Sequence, residues 1–269
     1  MSKVKTLSLP KKGSTKNYFI AGDWHTDFLC LSTYSIFKQH IKLVAKNTGT
    51  KPSLIINGDF LECSHLMGKK NDLNNMAKHT SMLELLSEES AIEFEFSNNI
   101  LDELEPLVSE IIFIEGNHDW RYRNFCNNYA PHAYKHNFDY ISRLKLKERG
   151  IPVIFYNDWL DIGSLSITHG MFHSVTALKR HWEASGCRNV IYSHVHRSES
   201  KAFMKRNDTS KAWSLGAMCD LNPDYIKNTD NNWINGYGEF TIFCDGGFSF
   251  HNHDVINQRI SLNGTILRP

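Results

Sequence analysis

The chain has 269 residues, of which 41% are hydrophobic and 22% are charged, and its formal net charge at pH 7 is +1, proportions that are ordinary for a globular protein. No apolar run approaches the roughly 20 residues that a membrane span needs, and no apolar segment follows the basic N-terminus as it does in a signal peptide. The six cysteines are scattered without a CxxC pair, which excludes a zinc ribbon and a thioredoxin-type motif, so we expect a cytoplasmic protein with free thiols.

The first apolar run leads into two residues of metal-ligand type. Residues 1–16 contain five lysines and no acid, and they are predicted to form a polar tail or a first strand. The run 18–21 predicts a strand that leads into Asp23 and His25, whose side chains point to the same face of an extended chain. The pair can therefore bind one cation. Asp-x-His pairs are also common by chance, and the alternative is two ordinary polar residues.

A helix over 27–47 and a second strand from residue 53 are predicted next. This strand ends in Asp59, with Glu62 as a candidate neighbour of the site. Residues 63–87 lack periodicity, and we expect an excursion beside the site. A helix with an acidic outer face follows over 88–105. Its predicted apolar stripe consists of Ile92, Phe96, Ile100, Leu101 and Leu104.

The most informative stretch is Ile-Ile-Phe-Ile-Glu-Gly-Asn-His-Asp, residues 111–119. Four apolar residues predict a strand that is buried on both faces, and the glycine permits a sharp turn. Asn117, His118 and Asp119 then follow at the carboxyl end of the strand, where open α/β sheets bind ligands. An amide oxygen, an imidazole and a carboxylate in a row suit metal-assisted acid–base chemistry. The alternative is an ordinary turn whose polar residues face water.

Residues 120–149 combine aromatic and basic side chains directly after this turn. They hold seven Lys or Arg against two acids. Arginines that bind phosphates beside rings that stack on bases are typical of single-strand nucleic-acid binding. We therefore predict that Arg121, Arg123 and Trp120 contact a polyanionic substrate. Equally, the aromatic residues of this segment can form the core of a lid, with the bases as its solvated rim.

The second half of the chain adds further strands with polar ends. A hairpin predicted over 159–169 ends at His169. The apolar run 189–192 predicts another strand, which leads into His194 and His196. From residue 201 onward the pattern is all β, with tight-turn signals such as Asp-Gly-Gly and Asn-Gly.

The order of these elements predicts an α/β fold, a two-sheet β-sandwich flanked by helices. We expect the strands after residue 201 to form a second, C-terminal sheet that packs on the first. No internal repeat or low-complexity linker interrupts the chain. Residues 1–269 are therefore predicted to form a single domain, with 63–87 and 120–149 as excursions that can act as lids.

Residues of metal-ligand type follow five separate predicted strands. Any one of these strand ends is weak evidence, but all five in order, each after a β-rich apolar run, indicate a metal site rather than coincidence. In order the candidates are Asp23 and His25, Asp59, Asn117, His169, and His194 and His196. The series D-x-H, GD-x-x-E, GNHD, HG and S-H-x-H, over about residues 18–197, resembles the calcineurin-like metallophosphoesterase superfamily. The chain as a whole also looks like small phage-encoded phosphoesterases, which implies a host cytoplasm.

This resemblance implies a role for each candidate. One metal ion would be bound by Asp23, His25, Asp59 and His196. The other would be bound by Asp59, Asn117, His169 and His194, with Asp59 bridging. His118 would face the substrate as an acid, and Asp119 would orient it. The two divalent ions, manganese first and iron, zinc or nickel otherwise, would lower the pKa of a bridging water and so provide a hydroxide nucleophile.

Two departures from the family pattern bear on the substrate. Ser193 replaces the usual glycine before His-x-His, and the second motif lacks the Asp-Arg-Gly of Ser/Thr protein phosphatases. The phosphate-binding arginine of that branch is missing, so protein phosphatase activity is not expected. The motifs are closer to the phosphodiesterase and repair-exonuclease branches. We therefore expect a phosphodiesterase whose substrate is a nucleotide or single-stranded DNA or RNA.

Two alternatives remain open on the sequence. The first is a phosphomonoesterase that acts on a small metabolite. The second is a scaffold that keeps the fold for protein binding without catalysis. Such scaffolds usually lose ligands, whereas every ligand position and His118 are filled in this chain. No membrane partner is expected, and no motif identifies a protein partner.

Overall fold

The computed structural model describes residues 2–63, 90–129, 139–205, 208–223 and 231–269. Within these residues the strands, in chain order, are β1 (Val4–Leu7), β2 (Thr15–Ala21), β3 (Ser53–Asn57), β4 (Ile111–Ile114), β5 (Val153–Ile154), β6 (Trp159–Ile162), β7 (Leu165–Ile167), β8 (Asn189–Tyr192), β9 (Glu199–Lys205), β10 (Asp208–Ser214), β11 (Gly236–Phe243), β12 (Phe248–Asp254), β13 (Ile260–Leu262) and β14 (Thr265–Leu267). The helices are α1 (Leu31–Thr48), α2 (Ala91–Leu104), α3 (Asn117–Tyr129), the single turn α4 (Tyr140–Arg143) and α5 (Ala177–Ala184).

The first large sheet has the strand order β12-β11-β2-β3-β4-β5. Strands β2 to β5 run parallel, so their carboxyl ends meet at one edge of the sheet. All residues of β3 and β4 are buried, because both faces of the sheet are covered. This explains the unbroken apolar runs of the sequence. It also places the loops after these strands side by side.

The second large sheet has the order β1-β6-β7-β8-β10-β9. The N-terminal segment contributes β1, which pairs in parallel with β6, so the strand alternative for residues 1–16 is the one that the structure adopts. The predicted C-terminal sheet is right for β9 and β10, which belong to the second sheet, and wrong for the strands that follow. Strands β11 and β12 extend the first sheet instead, because β11 pairs along the open edge of β2 and buries Phe240 and Ile242 between the two sheets. Among the described strands, β13 and β14 pair only with each other and form a separate two-stranded sheet.

The two large sheets pack face to face, and helices cover their outer faces. The core between them includes Tyr18, Ile20, Ile55, Ile112, Ile114, Leu160, Ile167 and Ile191. Helices α1, α2 and α3 cover the other face of the first sheet, and Trp182 of α5 packs on the outer face of the second. The predicted fold class, an α/β two-sheet sandwich flanked by helices, is therefore confirmed.

Helix α2 turns a different face inward than its hydrophobic pattern predicts. Ile92 is 76% exposed and Phe96 is 37% exposed, whereas Glu93 and Phe94 are buried. Glu93 is drawn inward because its carboxylate accepts a hydrogen bond from the backbone N–H of Glu62, at 2.5 Å. The predicted stripe is therefore wrong in the first turns of the helix and right at its C-terminal end, where Ile100, Leu101 and Leu104 are buried.

Two predicted excursions lie wholly or partly outside the described residues. Of the segment 63–87 only Cys63 is described, and of the segment 120–149 residues 130–138 are not. The described parts of the latter form most of α3, then α4 and the turns after it. No helix in the described ranges has both the length and the apolar character needed to cross a bilayer.

Candidate metal centre

The seven predicted ligand residues converge at the seam between the two sheets. The loops after β2, β3 and β4 belong to the first sheet and carry Asp23, His25, Asp59 and Asn117. The loops after β7 and β8 belong to the second sheet and carry His169, His194 and His196. Strand order alone does not predict that the two sets meet. They meet because the carboxyl ends of β2, β3 and β4 face those of β7 and β8.

Asp59 lies at the centre of this cluster. Its Oδ2 atom is 3.3 Å from Nε2 of His169 and 3.9 Å from Nε2 of His25. Ligand atoms of Asp59, His169 and His194 lie within 4.8 Å of one another, and the same holds for Asp23, His25 and Asp59. One carboxylate is thus common to two groups of potential ligands, as a bridging ligand must be.

The remaining two candidate ligands, His196 and Asn117, each lie beside one of these groups. Nε2 of His196 is 3.4 Å from Oδ1 of Asp23, and Oδ1 of Asn117 is 3.1 Å from Nε2 of His169. The structure therefore brings all seven side chains together in the two sets that the sequence predicts. Whether they bind metal stays a prediction.

Five of the seven residues have a backbone conformation that is rare outside glycine. The φ angles of Asp23, His25, Asp59, His194 and His196 lie between 40° and 74°. Each such residue costs roughly 1–3 kcal/mol, and such strain concentrates at functional sites. Hydrogen bonds between neighbouring loops hold the strained residues, for example from the N–H of His25 to the carbonyl of Asp59 at 2.9 Å.

Two glycines let these loops approach one another. A Cβ at Gly58 would overlap the imidazole of His169, and a Cβ at Gly116 would overlap the backbone and the carboxylate of Asp59. Gly58 also has a φ of 81°, which other residues rarely adopt. The Gly-Asp and Gly-Asn motifs of the sequence therefore have a steric reason at both positions.

His118 lies at the edge of the cluster with both ring nitrogens engaged. Nδ1 is 2.7 Å from the carbonyl oxygen of Glu62, to which it donates, and Nε2 is 3.2 Å from Nη1 of Arg121. The backbone N–H of His118 donates to Asp59 at 2.8 Å. Burial is the main reason why the pKa of His118 is lowered. The ring is thus a neutral imidazole whose Nε2 accepts a hydrogen bond.

Asp119 does not orient His118, contrary to the prediction. Its buried carboxylate accepts hydrogen bonds from the backbone N–H groups of Leu61 and Gly116, both at 2.9 Å. Helix α3 begins at Asn117, and successive side chains on a helix point in different directions, so Asp119 turns into the protein. The group that orients His118 is the Glu62 carbonyl. Burial and then the charge of Asp59 raise the pKa of Asp119 to about 7.

Glu62, which the sequence analysis named as a candidate neighbour of the site, also orients His25. Its Oε2 atom lies 2.5 Å from Nδ1 of His25, so Nε2 of that ring points towards Asp59. Burial opposes the protonation of His25, but the hydrogen bond to Glu62, together with the neighbouring Cys219 and Asp59, outweighs it and raises the pKa to about 9. One glutamate thus fixes two imidazoles of the site, one through its carboxylate and the other through its carbonyl.

The two buried aspartates of the cluster are ionised. Burial opposes the ionisation of Asp59, yet His169, His118 and His25 outweigh it and hold the pKa well below its usual range. The pKa of Asp23 is also lowered, since His196 outweighs burial there. By contrast, burial and His169 lower the pKa of His194 to about 4. Two buried carboxylates and the imidazole nitrogens around them form a donor set for cations, and a bound ion would displace the protons of the imidazoles.

Comparison with known proteins agrees with this geometry. The family model described as calcineurin-like phosphoesterase matches residues 17–223, well over half of the chain. The chain belongs to the calcineurin-like phosphoesterase family. This is a family of metal-dependent phosphoesterases that bind divalent metal ions.

The solved structures similar to this calcineurin-like phosphoesterase include two of Vps29. Vps29 from Chaetomium thermophilum is 8% identical, with 88% of this chain and 96% of that chain covered at a TM-score of 0.42. A double mutant of Vps29 from Entamoeba histolytica is 12% identical, with 88% and 98% covered at a TM-score of 0.39. No curated protein sequence matches the chain.

The residues of this calcineurin-like phosphoesterase fit the divalent ions that the family binds. Nε2 of His25 is buried and has no hydrogen-bond partner among the described residues. Leaving a buried polar atom unpaired costs about 1–3 kcal/mol, which coordination of an ion would remove. The two ionised carboxylates of Asp23 and Asp59 supply the complementary negative charge.

Three residues that the motifs did not predict as parts of the site complete its surroundings. The thiol of Cys219 is buried and within 4.8 Å of ligand atoms of His25 and His196. The ring of Trp233 is centred 4.1 Å from the ring of His196. Ser193, the departure from the family glycine, accepts a hydrogen bond from Asn57 at 2.8 Å. Cys219 and Trp233 lie outside the recognised motifs, so no sequence signal marks them.

The predicted substrate-binding residues divide into two groups. Arg121 is exposed beside His118, and Trp120 is 37% exposed with its ring 5.7 Å from that of Tyr156. Arg123 instead points at buried Glu115 and forms two hydrogen bonds with it, at 2.6 and 2.7 Å. The structure therefore gives Arg123 an internal partner in place of the predicted phosphate.

The aromatic residues of the same segment are divided as well. Tyr122 and Phe125 are buried against the outer face of the first sheet, together with Phe94 of α2. For these two residues the core alternative is the one that the structure adopts. Trp120 remains at the surface, where it can contact a substrate.

Proposed function

We propose that the protein is a dinuclear metal-dependent phosphodiesterase that hydrolyses nucleotide or nucleic-acid phosphodiesters. The observation that carries this proposal is the convergence of two ligand sets on Asp59, with His118 at their edge. A binding scaffold needs neither a complete ligand set nor an imidazole that presents Nε2 beside it. Both are present, which favours catalysis over the scaffold alternative.

The geometry supports the ligand roles that the family resemblance implies. One divalent ion would be bound by Asp23, His25, Asp59 and His196, and the other by Asp59, Asn117, His169 and His194. When bound, the two ions supply a nucleophile at neutral pH and offset the charge that develops on the phosphoryl oxygens. Mixed nitrogen and oxygen ligands suit Mn, Fe, Zn or Ni, of which we propose Mn.

His118 would supply the proton for the leaving oxygen. The Glu62 carbonyl holds Nδ1, so Nε2 is the atom that can exchange a proton with a substrate. Nη1 of Arg121 is 3.2 Å from the same nitrogen. A phosphoester that enters here would take the guanidinium as its partner, which frees Nε2 to be protonated and then to donate to the leaving group.

The nucleotide part of the proposal rests on aromatic surfaces at two sides of the cluster. Trp120 pairs with Tyr156 beside Arg121, and Trp233 packs against His196. Partly exposed rings of this kind stack on nucleobases without strong sequence preference. Such rings have no evident use for a small metabolite phosphate, which favours a nucleotide-containing substrate.

The positive charge available to a long polyanion is smaller than the sequence suggests. Arg123 forms an ion pair with Glu115, and Arg149 forms ion pairs with Asp102 and Glu105. Arg143 donates hydrogen bonds to the hydroxyls of Ser90 and Tyr122 inside the protein. Arg121 therefore carries most of the proposed phosphate recognition next to His118.

A substrate panel with Mn²⁺ tests the proposal. We expect faster hydrolysis of bis-p-nitrophenyl phosphate, cyclic nucleotides or single-stranded DNA than of p-nitrophenyl phosphate, and loss of activity with a chelator. Double-stranded DNA serves as the control substrate, because its bases are paired and less accessible to the aromatic rings. Preference for the monoester would instead support the metabolite phosphatase. No hydrolysis, together with far less than two equivalents of bound metal, would support the scaffold.

A further inference from the structure

A second cluster of metal-ligand side chains lies away from the phosphoesterase centre. Among the described residues five groups could share an ion, and four of them contain residues of that centre. The fifth consists of His40 on α1, Glu239 on β11 and His253 on β12. On β11, Phe240 enters the core between the sheets, so Glu239 faces the opposite side, where α1 packs.

Two of the three ligand distances in this cluster match those around a single tetrahedral ion. Nε2 of His40 and Nε2 of His253 are each 3.3 Å from Oε2 of Glu239. Zinc binds such ligands at about 2.0–2.1 Å, and a tetrahedron of that size places neighbouring ligand atoms about 3.3 Å apart. The two imidazoles stand nearly perpendicular, with an interplanar angle of 82° and centroids 4.8 Å apart.

The surroundings orient the ligands and leave a position open. Nδ1 of His40 is 3.0 Å from the hydroxyl of Tyr237, an outer contact of the kind that fixes the tautomer of ligating histidines. All three residues line a cavity of about 780 Å³, and His40 is buried at its wall. A solvent molecule can therefore reach a fourth coordination position from the cavity.

The walls of the cavity combine apolar side chains with polar ones that are largely uncharged. Besides the cluster, its lining residues include Asn17, Asn47, Thr48, Thr241, Ser261 and Asn263. Amides and hydroxyls solvate an ion and its bound water without competing for its charge.

We propose that His40, Glu239 and His253 form a mononuclear site for a divalent cation of the zinc class, separate from the phosphoesterase centre. Two imidazole nitrogens, one carboxylate and an open position are the ligands of many zinc sites. An ion here would join α1 to the β11–β12 edge of the first sheet and so stabilise their packing. The alternative is a carboxylate that accepts two hydrogen bonds from histidines without any ion.

Metal counting on the full-length protein separates these two arrangements. After equilibration with Zn²⁺ and gel filtration, we expect Glu239→Gln and His253→Ala each to carry one equivalent less than the wild-type protein. Glutamine keeps the size and hydrogen bonding of Glu239 but removes its charge. The difference of one equivalent does not depend on how many ions the phosphoesterase centre binds, so failure of the proposed function leaves this test intact.

His251→Ala is the matched control. His251 is a histidine of the same strand that lines the same cavity, with its ring 6.3 Å from that of His253, but it is outside the cluster. The control should keep the full metal content. Equal loss in His251→Ala and His253→Ala would overturn the three-ligand assignment, and so would unchanged metal content in Glu239→Gln.

Thermal unfolding gives a second readout, with circular dichroism to verify that each variant folds. Zn²⁺ should raise the Tm in an Asp59→Asn background, and this rise should be absent when Glu239→Gln or His253→Gln is added. An equal rise in Tm with and without the Glu239 substitution would exclude the site.

Discussion

The two clusters of histidines and carboxylates in this protein are built on different backbones. In the phosphoesterase centre most candidate ligands stand on loops after strands, and five of seven have positive φ angles. In the second cluster His40 is in the middle of a helix, and Glu239 and His253 are within strands, none with a positive φ. Strained loops hold many ligands around one point, whereas regular elements bring only a few side chains together.

The clusters also differ in how much of their charge is buried. Asp23 and Asp59 are almost fully buried, whereas the side chain of Glu239 is 21% exposed. Removing a ligand from a deeply buried cluster leaves more charge uncompensated than removing one at a cavity wall. Substitutions in the phosphoesterase centre should therefore have the larger effects.

The largest effect is expected from Asp59→Asn. Asp59 is the one carboxylate shared by both ligand groups, so its loss should release most of the metal. Metal ions contribute several kcal/mol of transition-state stabilisation, which corresponds to a loss in kcat of about 10³-fold or more. Glu239→Gln is the comparison, because it should leave hydrolysis within about twofold. Near-wild-type activity and metal content in Asp59→Asn would refute the bridging role.

A somewhat smaller effect is expected from His118→Ala. The variant should keep its metal, because His118 is outside both ligand sets, and its turnover should fall about 10²–10⁴-fold, the usual contribution of a general acid. The loss should be smaller for substrates with a nitrophenolate leaving group, which needs little protonation. Rates for good and poor leaving groups, with metal content as the control, decide the matter. Equal losses for both would argue against the acid role.

Arg123→Ala should act on stability rather than on substrate binding. It leaves the buried carboxylate of Glu115 without its ion-pair partner, and breaking a buried pair costs about 3–5 kcal/mol. Arg121→Ala, two positions away and exposed, should leave the free energy of unfolding nearly unchanged and raise KM for phosphodiesters. Urea unfolding and kinetics on both variants test this contrast. Equal stability of the two would contradict it.

The smallest effect is a pH dependence of stability that His181 contributes. Nε2 of His181 accepts the N–H of Met171 at 2.9 Å, and Nδ1 donates to the carbonyl of Ala177, so a second proton would face an N–H group. Burial is the main cause that lowers the pKa of His181 to about 3, and His194, His169 and Arg180 lower it further.

The sign follows from this lowered pKa. Unfolded histidine titrates near pH 6.5, so the unfolded state binds the proton first as the pH falls. The contribution is complete above about pH 6.5 and is lost at about 1.4 kcal/mol per pH unit towards pH 3. His181→Gln should remove this slope between pH 6.5 and 5. Identical slopes in both proteins, measured by urea unfolding, would show that His181 is not the group responsible.

The phosphoesterase centre was visible in the sequence because each motif that holds candidate ligands follows its own apolar strand. Asp59 and Asn117, for example, come directly after Asn-Gly and Glu-Gly at strand ends. The second cluster was not visible. His40 looks like any residue of helix α1, and Glu239 and His253 lie in strands about 200 positions later, so only the tertiary fold brings them together.

Other errors of the sequence analysis have the same origin. Three features depend on a partner that the local hydrophobic pattern does not indicate. They are the inward turn of Glu93, the pairing of Arg123 with Glu115 and the place of β11 beside β2. Local periodicity predicts where strands and helices form. It does not predict which charged side chain finds a buried partner, because that choice depends on what the finished fold leaves unpaired.

Strand β2 lies between β3 and β11, and its second neighbour is synthesised near the end of the chain. Tyr18 of β2 stacks on Phe240 of β11, with ring centroids 4.9 Å apart. Until residues 236–243 leave the ribosome, β2 has an unpaired edge, which exposes the nascent chain to wrong pairing. Contacts between such distant residues also slow folding. The strand that leads into Asp23 therefore gains a partner on both edges only when the last quarter of the chain has been made.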